Sequence, residues 1–93
     1  MKPTCKTYPN GNKYWFLNGK LHRKDGPAVE HDNGTKAWYL NDMLHREDGP
    51  AIEYTNGYKV WYLNGKSYSE PNFYRQLYHL GKITKEELFI KLL

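Results

Sequence analysis

The chain has 93 residues, which suits one small domain with a modest core. Aromatic residues make up 16% of it, including 9 Tyr and 3 Trp, so much of the apolar surface comes from rings that carry a polar group. The single cysteine, Cys5, excludes an internal disulfide, and no apolar run is long enough for a secretion signal or a membrane span. We therefore expect an intracellular, cytoplasmic protein, or one of the host cytoplasm if it is viral.

The net charge of +4 is unevenly placed along the chain. Every charged side chain of residues 1–24 is basic: Lys2, Lys6, Lys13, Lys20, Arg23 and Lys24. A basic segment of this kind attracts phosphate groups or acidic proteins, although surface lysines often serve solubility alone.

Three residue types recur along the chain at a constant interval of 23 residues, as Trp15 and Trp38 show. Trp61 follows Trp38 at the same distance, and the other sets with this spacing are Gly11, Gly34 and Gly57, and Asn18, Asn41 and Asn64. This periodicity predicts three structural repeats.

An Asn-Gly pair inside each repeat separates two segments that are rich in strand-forming residues. The pairs occupy positions 10–11, 33–34 and 56–57, and Asn-Gly favours a two-residue hairpin turn. The sequence therefore predicts three β-hairpins in an antiparallel meander sheet. The six expected strands lie near 4–8, 13–17, 27–31, 36–40, 50–54 and 58–63.

Two-residue turns would also set the register of each hairpin. They place Ile52 opposite Trp61 and Val29 opposite Trp38, so that one face combines tryptophan with β-branched residues. The other face would then combine the rings of Phe16, Tyr39 and Tyr62 with Cys5, Ala28 and Ala51.

The chain changes to a helical pattern from residue 69 onward. Ser69 is a candidate N-cap, Pro71 follows in the first turn and Gly81 ends the helix. Thr84-Lys85-Glu86-Glu87 reads as a capping box for a second helix. We expect an α+β, mainly β, single domain over 1–93, in which hairpin repeats (4–66) are followed by a helical cap (69–93) on the tryptophan face.

The most conspicuous motif is "LHRKDGPAVE" at 21–30, which returns as "LHREDGPAIE" at 44–53. We interpret it as the turn between hairpins, in which Asp bonds the turn backbone, Gly supplies an unusual dihedral angle and Arg pairs with Asp. No pattern of nucleophile and base, phosphate loop or metal-ligand spacing accompanies it. His22 and His45 would lie about two strand spacings, ~9.5 Å, apart, too far to share one ion. The sequence thus predicts neither an enzyme nor a metal or cofactor site.

The words "W-[FY]-L-N-[GD]" and "L-H-R-x-D-G-P-A-[VI]-E" in residues 9–66 resemble the MORN-like repeats of many bacterial and phage proteins. That resemblance implies a single-layer hairpin sheet used for protein contact or, by an older suggestion, for phospholipid contact. The segment "LGKITKEELFIKLL" resembles the C-terminal helical pair of SHOCT modules, which implies oligomerisation or partner binding. Neither likeness carries over a catalytic residue.

Two functions follow as expectations. The first is a non-catalytic protein-interaction module, such as a phage-encoded inhibitor of a host protein, that binds a protein partner or a second copy through Phe16, Tyr39 and Tyr62. The second is a nucleic-acid or nucleotide binder that stacks bases on those rings and holds phosphate ligands with Lys13, Lys20 and Arg23. Against the second stand Glu30 and Glu53, which would share a strand face with Ala28 and Ala51.

Overall fold

The fold, described for residues 2–93 by a computed structural model, is an antiparallel meander sheet with two helices at its C-terminal end. This confirms the predicted fold class. The strands are β1 (Thr4–Thr7), β2 (Lys13–Leu17), β3 (Lys20–Leu21), β4 (Val29–Glu30), β5 (Lys36–Ala37), β6 (Tyr39–Leu40), β7 (Met43–Leu44), β8 (Ile52–Glu53), β9 (Lys59–Leu63) and β10 (Lys66–Tyr68). The helices are α1 (Glu70–His79) and α2 (Lys85–Lys91).

The main sheet runs in the order β1-β2-β4-β5-β8-β9-β10, with β3 paired to β2, while β6 and β7 form a small second ladder. Backbone hydrogen bonds join the two ladders: the Arg23 amide donates to the Tyr39 carbonyl at 3.1 Å and the Arg46 amide to the Tyr62 carbonyl at 3.3 Å. The structure therefore forms one continuous, thin layer, with principal extents of 44 × 32 × 18 Å.

The turns at Gly11, Gly34 and Gly57 are three-residue loops, so the predicted two-residue turns at these positions are wrong. In the last of them the Gly57 amide donates to the Tyr54 carbonyl at 3.0 Å, and the Tyr54 amide donates to the Tyr58 carbonyl at 2.9 Å. This is a tight turn followed by a bulge, and it needs a left-handed residue, which glycine supplies at φ 93°, 95° and 90°.

The two-residue turns occur instead at Asn18-Gly19, Asn41-Asp42 and Asn64-Gly65. All six of these residues have positive φ, as a hairpin turn of this type requires. These turns create the short strands β3, β7 and β10, which the sequence pattern did not predict.

The extra loop residue shifts the register by one, so the predicted pairs of Trp with Val29 and Ile52 are wrong. Ile52 lies opposite Val60, and Val29 lies opposite Ala37. Tryptophan is instead paired with alanine, because the Trp15 amide donates to Ala28 and the Trp38 amide to Ala51, each at 2.8 Å. A one-residue shift moves every partner to the other side of the sheet.

One side of the sheet, here called the tryptophan face, thus alternates large and small side chains: Trp15, Ala28, Trp38, Ala51 and Trp61. Both alanines are completely buried. Because neither alanine exposes any surface to solvent, a larger side chain at either position would have to displace its neighbours.

The helices begin where the sequence predicts. Ser69 caps α1, and Thr84 with Glu87 forms the capping box of α2, with hydrogen bonds of 3.0 and 3.1 Å. Capping also lowers the pKa of the Glu87 carboxyl, chiefly through the hydrogen bond that it accepts from the Thr84 amide.

The helical cap covers only the last part of the tryptophan face. Phe73 and Leu77 of α1 are buried in one cluster with Leu63, and Trp61 and Tyr68 pack against this cluster. The expectation that the helices cover all three tryptophans is therefore wrong. Neither helix in residues 2–93 is long and apolar enough to cross a membrane.

Candidate functional site

The repeated motif covers the tryptophans that the helices leave free. The guanidinium carbon of Arg23 lies 4.0 Å from the centre of the Trp15 ring, and that of Arg46 lies 3.8 Å from the centre of the Trp38 ring. A cation over an indole face is attracted by the ring quadrupole. One repeat further along the chain, the equivalent of Arg46 is Ser69, which cannot cover Trp61, and there α1 supplies the cover.

Each arginine is held in place by the remaining residues of its own motif. Arg46 donates to Asp48 at 2.8 Å, to Glu53 at 2.9 Å and to the Pro50 carbonyl at 3.1 Å. Arg23 makes the same three contacts with Asp25, Glu30 and Pro27, each at 3.1 Å. The predicted pairing of Arg with Asp is confirmed, and the motif is a clamp that holds arginine over tryptophan.

The glycine of the motif leaves room for the arginine side chain and is not required by its backbone conformation. The φ angles of Gly26 and Gly49 lie outside the left-handed region, so the expectation of an unusual dihedral is wrong. A Cβ atom at Gly26 would lie 2.9 Å from the guanidinium carbon of Arg23, and one at Gly49 would lie 3.0 Å from that of Arg46. Glycine is needed because the arginine passes directly over it.

The histidine of the motif ties each hairpin to the next. Nδ1 of His22 accepts the Asn41 amide at 3.1 Å, and Nδ1 of His45 accepts the Asn64 amide at 2.9 Å. The Nε2 atom of His45 lies 2.9 Å from a Glu47 carboxylate oxygen. These histidines thus satisfy the backbone of residues in left-handed turns, a role that the long separation of the partners conceals in the sequence.

The side of the sheet opposite the tryptophan face, here called the tyrosine face, carries the predicted partner-binding rings Phe16, Tyr39 and Tyr62. Alternation along the strands also places Tyr8, Tyr14, Leu21, His31, Leu44, Tyr54 and Tyr58 on this face. The rings contact one another in two groups: Tyr8 lies 5.2 Å from Tyr14, which also contacts Phe16 and His31, and Tyr54 lies 5.8 Å from Tyr58.

The tyrosine face combines half-buried rings at its centre with exposed rings beside the hairpin turns. Phe16, Tyr39 and Tyr62 are half-buried, whereas Tyr58 is 64% exposed and Tyr54 is 43% exposed. Two small buried residues, Val29 and Ala37, lie between the rings. The prediction that Cys5, Ala28 and Ala51 would share this face is wrong, because they lie opposite tryptophans on the other face. The face is therefore rich in aromatic rings and free of helix α1, which packs on the other side.

The hydroxyl groups of this face lie close enough to affect each other. Burial raises the pKa of Tyr39, and the neighbouring Tyr62 and Tyr54 add to the shift. The Tyr39 phenol consequently releases its proton only at a higher pH than an ordinary tyrosine does.

The predicted basic residues lie on the other side. Lys13 and Lys20 are exposed and share the tryptophan face with Trp15, and Arg23 lies in its clamp over that ring. Glu30 and Glu53 lie on this face too, where they bind the arginines. The structure thus separates the rings from the cations that the nucleic-acid hypothesis requires in one site.

No family model matches the chain, and the comparisons with curated proteins and with solved structures also found no match. The resemblance to MORN-like repeats and to SHOCT modules therefore remains a prediction. Any functional conclusion rests on the residues described above.

Proposed function

We propose that the protein is a non-catalytic protein-interaction module whose binding surface is the tyrosine face. The observation that supports this most is the one-sided cover of the sheet: α1 packs on the tryptophan face, whereas no helix packs on the opposite side, where Tyr8, Tyr54 and Tyr58 are exposed. Contiguous exposed apolar patches commonly mark contact sites in soluble proteins.

The composition of the tyrosine face suits a protein partner. Tyrosines present rigid, amphipathic surface and lose little conformational entropy on binding, which is why they are frequent in interface hot spots. The half-buried rings of Phe16, Tyr39 and Tyr62 supply apolar contact area, and the more exposed Tyr54 and Tyr58 beside the Gly57 turn add further ring surface with hydroxyl groups. The partner is another protein, as for an antagonist of a host protein, or a second copy of this chain.

Nucleic-acid or nucleotide binding is the less supported alternative. Arg23 already pairs with Asp25 and Glu30 and lies over Trp15, so its charge is not free for a phosphate. Lys13 and Lys20 could still attract phosphates, but only on the side away from the rings.

The proposal is tested by placing a charge on the tyrosine face without disturbing its centre. Tyr58→Glu alters the most exposed ring of this face, and Tyr78→Glu, on a 39% exposed ring of α1, is the matched control. Affinity capture from the native host identifies the partner, and calorimetry with the purified partner then gives the Kd. Sedimentation equilibrium gives the dimerisation constant.

We expect Tyr58→Glu to weaken partner binding or dimerisation at least tenfold and Tyr78→Glu to leave it unchanged, because a charge in a desolvated interface is costly. The double variant Tyr39→Ala and Tyr62→Ala should abolish binding, and circular dichroism checks that each variant keeps its fold. Binding that instead depends on Lys13 and Lys20 and falls steeply with added salt would refute the proposal and support nucleic acid.

A further inference from the structure

Three grooves with similar floors lie along the tryptophan face between successive connecting loops. Their floors are Trp15 with Leu17, Trp38 with Leu40, and Trp61 with Leu63, and we call them the first, second and third grooves. The two residues of each pair are two positions apart in extended chain, so their side chains point to the same side of the sheet.

The third groove is filled by this chain's own helix α1. Phe73 and Leu77, one helical turn apart, bury their side chains against Leu63. After the helix ends, the Lys82 ammonium lies 3.8 Å from a carboxylate oxygen of Glu47, which belongs to the loop before this groove. The contact between helix and groove therefore has an apolar part and an ionic part.

The second groove has the same construction but is open. It has a volume of about 570 Å³ and lies between the loops that contain Lys24 and Glu47, with Trp38 and Leu40 at its base. Arg46 covers part of the Trp38 ring in the second groove, whereas the equivalent residue in the third groove is the small Ser69. A molecule bound in the second groove would therefore contact chiefly Leu40. Such a site accepts a smaller apolar anchor than Phe73.

One residue of the loop wall differs in charge between the two grooves, whereas the next residue, Asp25 or Asp48, is acidic in both. Lys24 stands one repeat before Glu47, at the position in the second groove that corresponds to Glu47 in the third. A helix bound in the second groove as α1 is bound in the third would place its residue equivalent to Lys82 beside Lys24. The carboxylates that also line this groove are already paired, Asp25 with Arg23, Asp48 with Arg46 and Glu47 with Lys82, whereas Lys24 takes part in no salt bridge within residues 2–93. The Lys82 of a second copy would be repelled by Lys24, whereas an acidic side chain would be attracted.

We propose that the second groove binds an amphipathic helix of another protein, which carries aliphatic anchors one turn apart and, after a helix-ending turn like the one at Gly81, an acidic residue five positions after the second anchor. The helix would place an aliphatic side chain on Leu40 and its carboxylate beside Lys24. This site lies on the side of the sheet away from the tyrosine face, so it goes beyond the function proposed above, and each proposal can fail without the other.

Two matched peptides test the proposal with the full chain. Both contain residues 69–84 with Phe73→Leu, and both are stapled between the exposed positions 71 and 75, because a short free helix is marginal in water. One peptide keeps Lys82 and the other carries Lys82→Glu. Fluorescence anisotropy of a labelled peptide gives the Kd for each.

We expect the Lys82→Glu peptide to bind with a Kd below about 1 mM and about two- to fivefold more tightly than its Lys82 partner, as befits one exposed ion pair. The protein variant Lys24→Glu should reverse this preference. Lys24 is exposed, so the variant should fold normally.

Leu40→Asp should abolish binding of the Lys82→Glu peptide, whereas Leu17→Asp, the matching change in the first groove, should leave the Kd unchanged. The proposal is overturned if that peptide shows no saturable binding, if Lys24→Glu does not change the order of the two affinities, or if Leu17→Asp alone removes binding. Self-association that Leu40→Asp abolishes would assign the groove to a second copy and overturn it as well.

Discussion

Replacing Arg46 tests whether the clamp over Trp38 stabilises the fold. In Arg46→Ala the protein loses a cation 3.8 Å from the indole centre and the hydrogen bond that Nη1 donates to the Pro50 carbonyl. A partly buried cation–π contact contributes about 1.5 kcal/mol, and a hydrogen bond from a charged donor contributes about 1.5 kcal/mol.

Other changes partly offset these losses. Asp48 is 86% exposed, so its ion pair with Arg46 contributes almost nothing, and Glu53 can turn its carboxylate to water. Freeing the long arginine side chain returns about 1 kcal/mol of conformational entropy. We therefore expect Arg46→Ala to lower the free energy of unfolding by about 2 kcal/mol, with a fall in Tm of about 10 °C for a domain of this size.

Urea unfolding followed by circular dichroism measures the change. Arg46→Lys keeps the charge but loses the flat guanidinium, so it should recover less than half of the loss. Arg75→Ala, on an exposed site of α1, is the control and should stay within about 0.5 kcal/mol of the wild type. If Arg46→Ala also stays within that limit, the arginines that lie over Trp15 and Trp38 do not stabilise the sheet.

Three further predictions follow from the same contacts. Gly49→Ala should lower the free energy of unfolding by about 1–2 kcal/mol, because its Cβ would meet the Arg46 guanidinium at 3.0 Å. In the Arg46→Ala background the same substitution should have no effect on stability. An equal loss of stability there would contradict the steric explanation. His22→Ala should cost about 1–2 kcal/mol and speed amide exchange at Asn41, which loses its acceptor, whereas His79→Ala, on an exposed site of α1, should change neither quantity. The raised pKa of Tyr39 means that the folded state holds this proton more tightly than the unfolded state, so its contribution is complete below pH 10 and is lost as pH rises above that value. Tyr39→Phe should therefore flatten the loss of stability above pH 10, and an identical pH profile for both proteins would exclude this linkage.

The sequence alone determined the features that depend on neighbouring residues. The caps at Ser69 and at Thr84 with Glu87 were predictable because their hydrogen bonds span only three residues. The placement of Trp15 and Phe16 on opposite sides was predictable as well, since adjacent residues of a strand always face opposite sides. The rings Phe16, Tyr39 and Tyr62 could thus be assigned to one face because they occupy the same position in each repeat.

The register could be read only from the folded structure, and so could every feature that depends on it. Asn-Gly fits both a two-residue turn and the three-residue loop found at Gly57, and the two alternatives differ by one residue of pairing. That single residue determines whether tryptophan faces Ile52 or Ala51, and therefore which side holds Glu53 and the arginine clamps. The roles of His22 and Gly49 were hidden for a related reason: their partners, the Asn41 amide and the Arg46 guanidinium, reach them only when the chain has folded back on itself.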